Sequence, residues 1–117
     1  MSPRRGDLVA PPSVGTEYTI RFGNNDAARG WEDLCRSAAG NLRRCFEALR
    51  DNPRPHPSTS RHHRLEGTLG SAQHQGRTLE RWQFEVTAGG RVWYLVDPGQ
   101  RTVWVVWAGA GHPKLTE

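Results

Sequence analysis

The sequence predicts an α+β fold: two N-terminal helices packed on an antiparallel-rich sheet of about four strands, in the order β-α-α-β-β-β. Three observations predict it. Apolar residues recur at helical spacing between positions 26 and 51. Between 80 and 108 they alternate or run continuously in short β-branched and aromatic segments. The peptides joining those segments, "AGG" and "DPGQ", are hairpin chemistry. A chain of 117 residues has the length of one domain, large enough to bury roughly two-thirds of its unfolded surface.

Residues 1–15 hold three prolines, two glycines and no periodicity, and are expected to be a flexible leader, with 16–117 as a single domain. In "TEYTIRF", Tyr18, Ile20 and Phe22 alternate with Thr19 and Arg21, which predicts a short strand. Trp31, Leu34, Cys35, Ala38, Leu42, Cys45, Phe46 and Leu49 then form a helical stripe, with Asn25 or Asp26 as N-cap and Asn52-Pro53 as the stop. Gly40-Asn41 interrupts the stripe as a turn glycine followed by a fresh cap would, so two antiparallel helices are expected. From Pro53 to Thr78 the composition shifts to Pro, Ser, His, Gly and Arg, and only Leu65 offers an apolar anchor; this reads as a long connection. "ERWQFEVT", "RVWYLV" and "TVWVVWA" are the remaining strands.

Hairpin loops at 88–90 and 97–100 set Val86 across from Val92 and Trp93 across from Trp104. One face then carries Trp82, Phe84, Val86, Val92, Tyr94, Val96, Val103, Val105 and Trp107, enough apolar surface to receive the helices. The other carries Arg81, Gln83, Glu85, Arg91, Trp93 and Trp104. Either Arg91 pairs with Glu85 across the hairpin, or it serves a ligand. An arginine entering the most buried strand is costly without a carboxylate or a purpose, and its planar fork suits phosphate.

Sixteen Lys+Arg against twelve Asp+Glu give a charge of +4, and nearly all the cations are arginine, which favours an anionic partner. Cys35 and Cys45 lack metal or redox spacing and read as buried thiols of a reducing cytoplasm. The apolar run near the N-terminus is too short for a signal peptide or a membrane span. His56, His62, His63 and His74 match no closed zinc pattern, so neither metal nor cofactor is expected.

The element order, the "RLEG" ahead of the second strand, "GGRVWYLV" with its arginine opening the third, and "AGAGHP" ending the last together resemble the RelE/ParE superfamily of toxins over residues 17–113. In the RNA-cleaving RelE, YoeB and HigB branches, the resemblance implies that Arg91 contacts the scissile phosphate. His112 then stands where relatives carry an arginine, or a histidine followed by tyrosine; here Pro113 follows instead. The lysine pair of RelE's second strand is missing, and Arg81 is its nearest substitute. Relatives place a carboxylate or histidine near the anchor, where "RHHRLEG" offers His62, His63 and Glu66.

Cleavage at a 2′-hydroxyl needs a base, a cation and an acid. His62 or His63, Arg91 and His112 supply them without a metal, while Arg64, Arg81, Trp93, Trp104 and Lys114 are the expected RNA contacts. The function implied is a ribosome-dependent mRNA endonuclease held in check by a cognate antitoxin. A ParE-like inhibitor of DNA gyrase, or a non-toxic RNA-binding module stacking bases on Trp93 and Trp104, are the alternatives.

Overall fold

The computed structural model describes residues 3–111. It is an α+β protein with two helices on one face of a six-stranded, mostly antiparallel sheet. Strand β1 (Thr19–Phe22) leads into α1 (Asn25–Ser37) and α2 (Ala39–Asp51); β2 (His62–Arg64), β3 (Ser71–His74), β4 (Arg77–Glu85), β5 (Gly90–Asp97) and β6 (Thr102–Ala110) follow. The sheet order is β1-β6-β5-β4-β2, with β3 also on β4, and β1 runs parallel to β6. No helix among the described residues is long and apolar enough to cross a membrane.

Both helices arise where the apolar stripe predicts them. Ala27, Ala28, Trp31 and Leu34 of α1 and Leu42, Cys45, Phe46 and Leu49 of α2 are buried against Ile20, Phe22, Trp82, Val92, Tyr94, Val96, Val103 and Val105. The break falls at Ala38 (φ −147°, ψ 47°), not at Gly40-Asn41, and the N-cap of α1 is Asn24, one residue ahead of the expected positions. Both cysteines are free thiols, but only Cys45 is buried, because Cys35 turns out of the stripe.

Two expectations about loops are corrected. The stretch after Pro53 is not one long connection, since it contributes β2 and β3 with a 3-10 turn (Gly67–Gly70) between them. Nor does the first segment run unpacked. The Gly6 and Val9 N–H groups donate to the Phe22 and Ile20 carbonyls at 2.7 and 2.8 Å, the Phe22 N–H donates back to Asp7 at 3.0 Å, and Val9 is buried. This stretch covers the outer edge of β1, which would otherwise present unpaired backbone.

The β4–β5 pairing sets Glu85 against Arg91, Gln83 against Trp93 and Trp82 against Tyr94, a shift of two residues from the expected register that preserves the face assignments. The β5–β6 pairing contains a bulge. Tyr94 pairs with Val105 but Trp93 pairs with Trp107, so Val106 is the extra residue. Beyond it the faces exchange: Ala108 joins the helix-covered core, and Trp107, expected there, lies across from Trp93 on the opposite face. Trp104 pairs with Leu95 and not with Trp93.

The bulge lets α1 approach closely. A Cβ built on Gly30 would lie 1.8 Å from the Ala108 carbonyl oxygen, whereas one on Gly40 meets nothing within 4 Å. Gly30→Ala should therefore destabilise the protein by about 2 kcal/mol or more, outweighing the ~1 kcal/mol that alanine gains over glycine in a helix. Gly40→Ala should leave stability unchanged or slightly raised. Urea denaturation midpoints of the two variants check this; equal effects would contradict the close approach.

Candidate functional site

The face of the sheet opposite the helices is where the charged and aromatic residues collect. Antiparallel pairing puts directly opposed residues on the same face, so His63, Gln83, Trp93 and Trp107 form one row, and Glu85 and Arg91 start the next. Arg61 reaches this row from the start of β2: its backbone carbonyl accepts from the Glu85 N–H at 2.7 Å, and its Nε lies 3.9 Å from the Glu85 carboxylate. Across one antiparallel step the Glu85 and Arg91 Cα atoms are about 5 Å apart. From Arg91 to His63, two strand spacings and two residues along, the corresponding distance is about 12 Å.

Arg91 is the second residue of β5 and is half-buried. Beside it runs the end of β6, where Gly109 pairs with Arg91 and the Gly111 N–H donates to Gly89 at 2.9 Å. His112 and Lys114 lie outside the described residues.

His62 is not in this constellation. Neighbouring residues of a strand point to opposite faces, and His62, paired with Phe84, turns to the helix side while His63, paired with Gln83, turns away. The His62 ring packs edge-on to Trp82, Phe84 and Tyr94. The Tyr94 hydroxyl donates to the Pro53 carbonyl at 2.7 Å, so its oxygen accepts the Nε2–H of His62 at 2.5 Å. Burial, and then the adjacent His63, bring the His62 pKa down to about 4. Its work is to tie β2 and the exit of α2 to β5, and it cannot serve as a base on the other face. His63 is half-buried, with Nδ1 shielded and without a hydrogen-bond partner among the described residues.

Three of the expected RNA contacts are occupied structurally. Trp93 is 1 % exposed and donates its indole N–H to Gln83 at 2.8 Å, so no base can stack on it. The Arg81 guanidinium lies 5.4 Å over that indole and donates to the Leu69 and Ser71 carbonyls at 2.8 and 3.2 Å. Arg64 donates to the Gly70 carbonyl and the Ser71 hydroxyl, and its guanidinium lies 3.7 Å from the Glu80 carboxylate. Together the two arginines fasten the 3-10 turn and the start of β3 to the sheet. Glu66 is exposed at the start of that turn.

Trp104 is partly accessible. The β3–β4 hairpin curls over this face and sets the His74 ring 4.5 Å from the Trp104 ring, while Arg77 makes a bidentate pair with buried Asp97 at 2.5 and 3.1 Å. Glu85, Arg61 and Trp107 are the residues that reading the sequence did not place in a site. Glu85 was visible on the correct face; Arg61 was hidden inside a segment without strand pattern.

No protein-family model matches the chain, and no curated protein matches it either.

The fold disfavours a proton on His62, whereas the unfolded chain accepts one near pH 6.5. Its contribution is therefore present above about pH 6.5 and is lost as the pH falls towards about 4. Urea midpoints measured across that window should fall more steeply for the wild type than for His62→Gln. Parallel curves would contradict the placement of His62.

Proposed function

We propose that the chain is the toxin of a toxin–antitoxin pair, a RelE/ParE-like endoribonuclease that cuts mRNA on the ribosome and so stops translation. The observation that supports this reading is the placement of Arg91 on the sheet's helix-free face, directly across from Glu85 and beside the end of β6. A guanidinium next to a carboxylate supplies two of the three groups that transesterification at a ribose needs: a clamp for the phosphate and a base within one cross-strand step of it.

In this scheme Arg91 grips two phosphate oxygens with its fork. Glu85, with the Arg61 guanidinium 3.9 Å away, takes the 2′-hydroxyl proton as that oxygen bonds to phosphorus. The bond from phosphorus to the 5′-oxygen breaks, and His112 delivers a proton to the departing oxygen. The products are a 2′,3′-cyclic phosphate and a 5′-hydroxyl. Glu85 takes the role expected of His62 or His63 because it stands nearest to Arg91, while His63 lines the same face as a contact for the substrate. The net charge of +4 favours both the RNA and an acidic antitoxin.

Primer extension on mRNA after brief induction tests the scheme. Wild type should give discrete cuts, Arg91→Ala none, and Arg91→Lys a reduced set, since lysine keeps the charge but loses the fork. Glu85→Gln should slow cutting by about a hundredfold. Cuts that persist in soluble Arg91→Ala would overturn the scheme. Inhibition of gyrase supercoiling by a chain that leaves mRNA intact would put the ParE-like alternative in its place.

A further inference from the structure

A second feature of the helix-free face is a cleft of about 520 Å³, lined by Arg5, Gln73, His74, Gln75, Trp104 and the backbone of Gly6 and Gly23. It lies on the Arg91 side of the sheet, because Trp104 pairs with Leu95, four residues along β5 from Arg91. The separation between the Arg91 and Trp104 Cα atoms is about 14 Å.

The lining has a distinct chemistry. Trp104 and His74, tilted at 42° with centroids 4.5 Å apart, make a two-ring aromatic wall. Gln73 and Gln75 bring two carboxamides to the rim, and Gln73 spends one N–H on the Thr78 hydroxyl. The backbone of Arg5 is fixed by its N–H donating to Asn25 at 2.8 Å, while its exposed guanidinium has no partner among the described residues. No carboxylate is among the described lining residues. Gly6 has φ +89°, and a Cβ there would meet nothing within 4 Å, so the floor is bare backbone at that point.

We infer that this cleft is a nucleobase subsite: it holds one nucleotide of single-stranded RNA, with the base against the Trp104–His74 wall, its edge hydrogen-bonded to Gln73 and Gln75, and a phosphate against Arg5. Flat aromatic walls, carboxamides that both donate and accept, and a fork-shaped cation are the three groups that recognise an unpaired nucleotide. An acidic peptide would satisfy Arg5 and leave the wall and the amides unused. The inference rests on the nuclease reading and adds where a nucleotide a few positions from the cut is held, and thus where sequence preference would arise.

Titration of the full chain with each of the four ribonucleoside 5′-monophosphates, and with inorganic phosphate, followed by ¹H–¹⁵N NMR, tests this. At least one nucleotide should give saturable shifts at the Trp104 indole N–H and the Gln73 and Gln75 side-chain amides, and phosphate alone should not. The double variant Arg5→Ala, Gln75→Gly should weaken that binding by about tenfold or more. Both side chains are exposed, and glycine accepts the Gln75 φ of 51°, so the fold is kept. Absence of saturable shifts, identical shifts with phosphate, or indifference to the double variant overturns the subsite. The titration needs no ribosome, so nucleotide binding by a chain that cuts no mRNA would sink the nuclease reading and keep the subsite, and cutting without binding would do the reverse.

Discussion

One side-chain amide holds together the two features on which the architecture turns. The Asn24 Nδ2 donates to the Val106 carbonyl at 2.9 Å, and its Oδ1 accepts the Ala27 N–H at 2.7 Å. The first bond anchors the bulge in β6, and the second starts α1. A bulge leaves a backbone carbonyl out of the ladder, and a helix start leaves N–H groups without partners. Asn24 satisfies one of each. Gly23 supports it, its N–H donating to the Val105 carbonyl at 2.7 Å. Because β6 carries an extra residue at Val106, the small Ala108 faces α1 and Gly30 can lie against its carbonyl. A regular strand would send Trp107 to that point, where α1 packs so closely that a methyl group on Gly30 would strike the Ala108 carbonyl oxygen.

The same bulge composes the other face. Trp107 moves across from Trp93, and Gly109 becomes the neighbour of Arg91. Around the buried Trp93 the chain then divides its arginines by task. Arg81 and Arg64 are consumed in holding the 3-10 turn, and Arg77 in balancing Asp97. Arg91, with Glu85 and Arg61, stands at one end of the face, and Arg5 stands at the other beside Trp104 and His74. Arginines at both ends of one face, with a pair of rings beside Arg5, are what the proposed RNA reading draws on.

Much of the fold was legible because it depends on long, strongly periodic segments. The stripes of α1 and α2, the alternation in β4 and the continuous apolar run of β5 need only local spacing to be read. What stayed hidden depends on partners distant in sequence. Polar "HHR" and "SAQH" become strands only because the edge of β4 is there to pair with them. Leu8 and Val9 were too short an apolar run to register, yet the edge of β1 recruits them. The Val106 bulge has no local signature, and the face of Trp107 turned on it. For the site, Arg91 could be placed by parity within one hairpin. The choice between His62 and His63 could not, because adjacent residues of a strand face opposite ways and only the register against Phe84 and Gln83 decides which one turns inward.

Transesterification at a ribose by Arg91 and Glu85, as proposed, is reported most directly by the ends left on the cut RNA. Ribosome-bound mRNA incubated with the purified protein, followed by end-group analysis of the fragments, should show 5′-hydroxyl ends and 2′,3′-cyclic phosphates. Fragments bearing 5′-phosphate and 3′-hydroxyl ends, which require water rather than the 2′-hydroxyl as the nucleophile, would contradict the account.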